Sequence, residues 1–69
     1  MSKNLLAEMA RAGFTNKALA EKAGMGEVAF GYKVKGKTEW LLKEMLAIQN
    51  IINEELQTNY TLDYLFKKF

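Results

Sequence analysis

The chain has 69 residues, 49% of them apolar, and ten Lys and Arg against eight Asp and Glu give a formal net charge of +2. This length predicts one domain, and nearly half of the residues are apolar, so we expect a hydrophobic core rather than disorder. Because the sequence contains no Cys and no His, it excludes disulfides and thiolate metal sites and lacks the commonest general base and zinc ligand, so we expect no enzyme, no metal and no cofactor.

The first predicted helix spans residues 2–12. Leu5 and Met9 recur at helical spacing on one side, whereas Glu8 falls among charged residues on the other. Gly13 is expected to end this helix in the left-handed conformation. All seven glutamates of the chain are expected to face solvent, which argues against a catalytic carboxylate pair.

A second helix is predicted over residues 16–23. Thr15 can cap its first turn through the side-chain hydroxyl, and Gly24 is expected to end it. The helix should bury Leu19 and Ala20.

Residues 28–34 have an ambiguous pattern. Apolar and small or charged residues alternate there with a period of two, which is typical of a strand. A helix would instead bury Phe30 together with Val34, one turn apart, and Gly31 weakens both alternatives. The residues alone leave strand and helix open.

Two further helices are predicted after Gly36. Thr38 can cap the first, which extends to about Leu56 with a buried stripe of Leu41, Met45, Ile48 and Ile52. Thr61 can cap a short last helix whose apolar side carries Leu62, Leu65 and Phe66.

The stretch that begins at Thr15, TNKALAEKAGMGEVAFGYKVKGK, resembles the helix-turn-helix of phage Cro and CI-type (XRE) repressors. The family pattern T-Q-x-x-L-A-x-x-L-G-V-S-x-x-x-I-S-x-W-x-x-G is matched in register by Thr15, Leu19, Ala20, Gly24, Met25, Phe30 and Gly36. The resemblance implies an all-α, compact bundle of about five short helices, a lambda-repressor-like DNA-binding domain in which residues 1–69 form one unit with the motif at about 15–36. It also favours a helix over residues 27–34.

In such a motif the second helix enters the major groove of DNA. The residues expected to hold the two helices together are Leu19, Ala20, Gly24, Met25 and Phe30. The residues expected to bind DNA or a partner are Asn16, Lys17, Gly26, Glu27, Val28, Ala29, Tyr32, Lys33, Lys35 and Lys37.

The sequence departs from the family pattern on the surface that should contact bases. Gly26 replaces the usual Ser, and Glu27, Val28 and Ala29 follow where family members carry Arg, Gln or other polar residues. Lys33 replaces the usual apolar residue, so Val34 is the alternative inward anchor. Residues 1–36 carry six cations against three acids, which favours phosphate contacts, although lysine clusters are also common on solvated faces.

Two functions follow from the resemblance. The first is a transcriptional regulator of a phage-type genetic switch that binds operator DNA as a homodimer. The second is an antirepressor, similar to the modulator-of-repression proteins, that uses the same surface to bind a repressor protein. An apolar, Glu-bearing surface suits a basic protein partner better than a polyanion.

The candidate dimer residues are aromatic and lie near the end of the chain: Tyr60, Tyr64, Phe66 and Phe69. Closure of the core by the last helix is the alternative role, above all for Leu65 and Phe66. No apolar run is long enough for a signal peptide or a membrane span, so we expect a cytoplasmic protein without membrane contact.

Overall fold

The computed structural model describes residues 2–68, which contain five helices. None of these residues forms a strand, and the described chain measures 29 × 24 × 21 Å. The prediction of an all-α bundle of about five short helices is confirmed, and residues 28–34 are helical rather than extended. The helices are α1 (Lys3–Ala12), α2 (Asn16–Lys22), α3 (Glu27–Lys35), α4 (Leu42–Leu56) and α5 (Leu62–Leu65).

One buried cluster draws side chains from all five helices. The helices α1, α3 and α4 each contribute two residues that lie four positions apart. Full burial of a large apolar side chain stabilises the fold by about 1.5–3 kcal/mol. The cluster is formed by Leu5, Met9, Leu19, Ala20, Phe30, Val34, Ile48, Ile52 and Leu65.

The connection between α1 and α2 is formed as the sequence predicts. Gly13 has a left-handed backbone with φ of 77°, and the amide of Phe14 donates to the carbonyl of Met9 at 2.9 Å. The hydroxyl of Thr15 then accepts from the amide of Ala18 at 3.1 Å. These hydrogen bonds satisfy backbone groups that the helix ends leave without an intrahelical partner.

The start of α4 differs from the prediction. Thr38 does not cap this helix, which begins at Leu42, and Leu41 is 51% exposed instead of buried in the stripe. The segment before the helix is occupied by Trp40, whose ring packs edge-on against Phe30 at 5.4 Å between centroids. The chain therefore crosses the edge of the core in a non-helical conformation before α4 begins.

The prediction that every glutamate faces solvent is wrong for Glu8. This residue is 1% exposed, and its Oε2 atom accepts a hydrogen bond from the hydroxyl of Tyr64 at 2.6 Å. Arg11 lies one turn further along α1, with its Nε 3.5 Å from Oε1 of Glu8. The carboxylate is buried because α5 packs over α1, and a hydroxyl and a guanidinium lie beside it to offset the cost of desolvation.

Opposing effects set the pKa of Glu8. Burial by itself would raise the pKa, but the hydroxyls of Tyr64 and Tyr60 and the charge of Arg11 outweigh burial and hold the pKa below its usual value. Hydrogen bonding to the carboxylate and burial raise the pKa of Tyr64. At neutral pH the pair is therefore a carboxylate and a phenol, and it joins α1 to α5.

Candidate nucleic-acid interface

A tight turn joins α2 to α3. Gly24 has φ of 73°, and the amide of Met25 donates to the carbonyl of Ala20 at 2.8 Å. Ala20 is fully buried where α2 and α3 pack together, so its small side chain permits close approach of the two helices. The left-handed glycine turns the chain sharply within the four residues 23–26, as the sequence predicts.

The buried side of α3 determines which side chains this helix exposes. Phe30 and Val34 have exposed fractions of 0% and 3%, so the alternative inward anchor at Val34 is confirmed. Residues at spacing i, i+4 and i+7 share one face of a helix. On the outer face of α3 these positions are Val28, Tyr32 and Lys35, and all three are exposed.

The outer face of α3 is apolar at its beginning and basic at its end. Val28 is 68% exposed, and the neighbouring Glu27 and Ala29 are exposed as well. Gly26 is the N-cap of α3, with φ of −72°, a conformation open to any residue. The start of this helix therefore presents methyl groups and one carboxylate.

Lys33 is not part of this exposed face. Its ammonium group donates to Oε1 of Glu44 at 2.5 Å, and the side chains of the two residues are 14% and 13% exposed. The same oxygen accepts from the amide of Leu41 at 2.9 Å. The inclusion of Lys33 among the binding residues is therefore corrected: its charge is used to hold α3 against the first turn of α4.

Glu44 is the second glutamate that does not face solvent freely. Burial alone would raise its pKa, but the hydrogen bonds from Lys33 and from the amide of Leu41 lower it more, so the pKa lies below its usual value. At neutral pH this side chain is a carboxylate that carries the negative half of an ion pair.

The remaining predicted contact residues lie on α3, just beyond its C-terminal end, and in the first turn of α2. The ammonium group of Lys37 lies over the ring of Tyr32, 5.1 Å from its centroid, a geometry typical of a cation–π contact. In the first turn of α2, Asn16 is half-buried and Lys17 is exposed. Neither Lys17 nor Lys35 takes part in an ion pair within residues 2–68.

The aromatic residues that the sequence suggests for a dimer contact are partly used inside the chain. Tyr64 is 36% exposed, but its hydroxyl is bound to Glu8, and Tyr60 stacks on its ring at 5.1 Å between centroids. Phe66 packs edge-on against Trp40 at 5.2 Å. These contacts agree with the alternative role, closure of the core, and Phe69 lies outside the described residues.

A group of residues beside the start of α3 was not predicted from the sequence. A shallow groove between the turn at 23–26 and the beginning of α4 is lined by Ala29, Leu41 and Lys43, among others. Leu42 and Leu46 are also exposed, at 61% and 47%. A sequence pattern could not have identified this groove, because it is formed where two helices separated along the chain meet.

Within residues 2–68 no group of three or more Asp and Glu side chains is arranged to hold a metal ion. None of the described helices combines the length and the apolar character needed to cross a bilayer.

Neither a family model nor a curated protein nor a solved structure matches the chain.

Proposed function

We propose that α2, the turn at 23–26 and α3 form a DNA-binding helix-turn-helix, and that the protein is a transcriptional regulator of a genetic switch of the phage Cro/CI type. The observation that carries the proposal is the orientation of α3. Phe30 and Val34 fix its inner side in the core, while Val28, Tyr32 and Lys35 form an unobstructed outer face. A helix exposed in this way has the geometry that major-groove recognition requires.

The charges around α3 support a polyanionic partner. Lys35 and Lys37 lie at and just beyond its C-terminal end, and Lys17 lies in the first turn of α2. Lysines that flank a recognition helix can neutralise phosphates on either side of a groove, and the release of counterions then contributes to binding. With Lys33 paired internally, these three cations are the ones to which we assign phosphate contacts.

The proposal includes a second copy of the chain and a compartment that contains DNA. One recognition helix of nine residues makes few contacts, and two copies on adjacent half-sites multiply them. We propose a homodimer on DNA and a cytoplasmic location. The aromatic end of the chain contributes to this dimer through the exposed part of Tyr64 rather than through its hydroxyl.

A titration followed by NMR tests the proposal at the level of residues. ¹⁵N-labelled protein is mixed with a mixed-sequence DNA duplex at low ionic strength. We expect amide shifts to concentrate on α3 and on the start of α2, and to be small at Asn50, an exposed residue of α4. Shifts that avoid α3, or no shifts at all, reject the proposal.

A second candidate function is supported by the apolar character of the same surface. Val28 is 68% exposed, and Leu41 and Leu42 are exposed near the adjoining groove. Contiguous patches of exposed apolar side chains are typical of protein-binding surfaces. On this alternative the protein is an antirepressor that binds a repressor.

Co-purification with a repressor encoded beside it tests the second candidate. We expect the native chain to retain the repressor and Val28→Asp to lose it, because a buried carboxylate would be left without a partner at the interface. Asn50→Asp is the matched control, since it introduces the same carboxylate at an exposed residue of α4. Failure of the native chain to retain the repressor rejects the antirepressor function.

A further inference from the structure

We infer that α3 recognises thymine through its 5-methyl group and that Val28 is the side chain that contacts this methyl. The inference rests on the proposed DNA-binding function and specifies what that function recognises. It concerns the first half of α3, where the exposed face carries no lysine.

The exposure and position of Val28 carry the inference. At 68% it is the most exposed of the large apolar residues described, and it is the second residue of α3. Residues in the first turns of a recognition helix are those that reach base edges. A β-branched side chain in a helix has essentially one side-chain rotamer, so its two methyl groups are held in place with little loss of entropy on binding.

The residues around Val28 lack the groups that form bidentate contacts to purines. Those contacts require Arg or Lys for guanine and Asn or Gln for adenine. The first half of α3 reads Glu27-Val28-Ala29-Phe30-Gly31 and contains none of them. The lysine nearest to Val28 on the outer face is Lys35, roughly 10 Å further along the axis at 1.5 Å per residue.

Lys33 is not available for a contact to guanine either. Its ammonium group is held by Glu44 at 2.5 Å, and its side chain is 14% exposed. The first half of α3 can still make two kinds of contact with base edges. An apolar side chain can contact a thymine methyl, and Glu27 can accept a hydrogen bond from a cytosine amino group. Of these two, contact with thymine is the one that incurs no repulsion between a carboxylate and the phosphates.

Removal of one methyl group from DNA tests the inference. Duplexes are first enriched from a randomised library by repeated binding to the native chain, and the enriched duplex is then synthesised with deoxyuridine in place of thymidine, one position at a time. Deoxyuridine pairs as thymidine does but lacks the 5-methyl group. At the contacted position we expect affinity to fall about fourfold, the equivalent of one buried methyl group.

The same measurement on Val28→Ala identifies the protein side of the contact. We expect this variant to bind the thymidine and deoxyuridine duplexes with nearly equal affinity, because the methyl groups of Val28 that contact the base are gone. Leu6→Ala is the matched control, since Leu6 is an exposed apolar residue of α1. The control should keep the full fourfold difference.

Each outcome distinguishes the inference from the proposed function. Enriched duplexes that tolerate deoxyuridine at every position overturn the inference and leave DNA binding intact. Sequence-independent binding, or a deoxyuridine effect that persists in Val28→Ala, also overturns it. If no duplex is retained even at low ionic strength, the proposed function itself fails, and capture of a repressor through Val28 would then favour the antirepressor.

Discussion

The ammonium group of Lys33 on α3 lies 2.5 Å from Oε1 of Glu44 on α4. The same oxygen accepts from the amide of Leu41 and so caps the first turn of α4. One carboxylate oxygen thus fixes the start of α4 and ties it to the proposed recognition helix. A lysine that the sequence places with the binding residues has a structural role instead.

Substitution of Lys33 should affect stability more than DNA binding. We expect Lys33→Met to lower the free energy of unfolding by about 1–3 kcal/mol, because Glu44 is left partly buried without its cation. Lys35→Met is the matched control: Lys35 is exposed, so its stability change should stay within about 0.5 kcal/mol. Urea unfolding measures both variants.

The salt dependence of DNA binding should change when Lys35 is substituted and should not change when Lys33 is substituted. Lys35→Met should make the slope of log K against log salt shallower by about 0.9, the value for one lost phosphate contact, and Lys33→Met should leave the slope unchanged. A shallower slope for Lys33→Met would mean that Lys33 leaves Glu44 and reaches a phosphate.

Acid should destabilise the protein through Glu8 and Glu44. Both have pKa values in the folded protein that lie below the usual 4.5, so the unfolded chain binds protons more readily. Their contribution to stability is therefore fully present above about pH 4.5 and is lost as the pH falls through the folded-state pKa values. Urea unfolding at a series of pH values measures this loss.

The variant Glu8→Gln separates the contribution of Glu8 to stability from that of Glu44. We expect this variant to be less stable than the native chain at neutral pH by about 1–3 kcal/mol, because the hydrogen bond from Tyr64 no longer ends on a charged group. Its stability should also fall less than that of the native chain between roughly pH 5 and pH 3, the range over which we expect paired carboxylates to titrate. Glu55→Gln, at an exposed site on α4, should retain the native pH dependence, and a native dependence in Glu8→Gln would contradict the assignment.

Two glycines should respond in opposite directions to the same substitution. Gly24→Ala should destabilise the protein by about 1–2 kcal/mol, because alanine rarely adopts a positive φ, here 73°. Gly31→Ala should stabilise it by about 0.5–1 kcal/mol, since Gly31 lies inside α3 and a Cβ atom there meets nothing within 4 Å. Thermal unfolding followed by circular dichroism measures both, and destabilisation by Gly31→Ala would contradict the packing described for α3.

Opposite sides of α3 should differ in their contribution to stability. Phe30→Ala should cost about 3–5 kcal/mol, because Phe30 is fully buried and packs against Trp40. Val28→Ala should change stability by less than about 0.5 kcal/mol, since its side chain is exposed. Equal losses in the two variants would mean that Val28 is packed in solution and not available for binding.

The sequence predicted local features of the fold well. The caps at Thr15 and Thr61 and the left-handed glycines at 13 and 24 depend on residues a few positions apart, and the structure contains all of them. Helical spacing likewise identified the buried pair Phe30 and Val34. The strand alternative for residues 28–34 had to be settled by the resemblance, because a period of two and a period of 3.6 coincide over so short a segment.

The features that the sequence did not predict depend on contacts between distant residues. Glu8 is buried because Tyr64, 56 positions away, supplies its hydrogen bond. Lys33 is paired with Glu44, 11 positions away, in the first turn of a helix that begins later than the sequence predicts. Periodicity assigns a charged residue to the solvent side and contains no information about a partner that can bury it.

The salt dependence of duplex binding tests whether α3 and its flanking lysines bind DNA. The affinity of the native chain is measured at several salt concentrations beside that of a variant with Lys17, Lys35 and Lys37 all changed to Met. We expect native affinity to rise steeply as salt is lowered, and the slope of log K against log salt to be shallower by about 2–3 in the variant. No detectable binding of any duplex at low ionic strength, or identical slopes for the two proteins, would contradict this expectation.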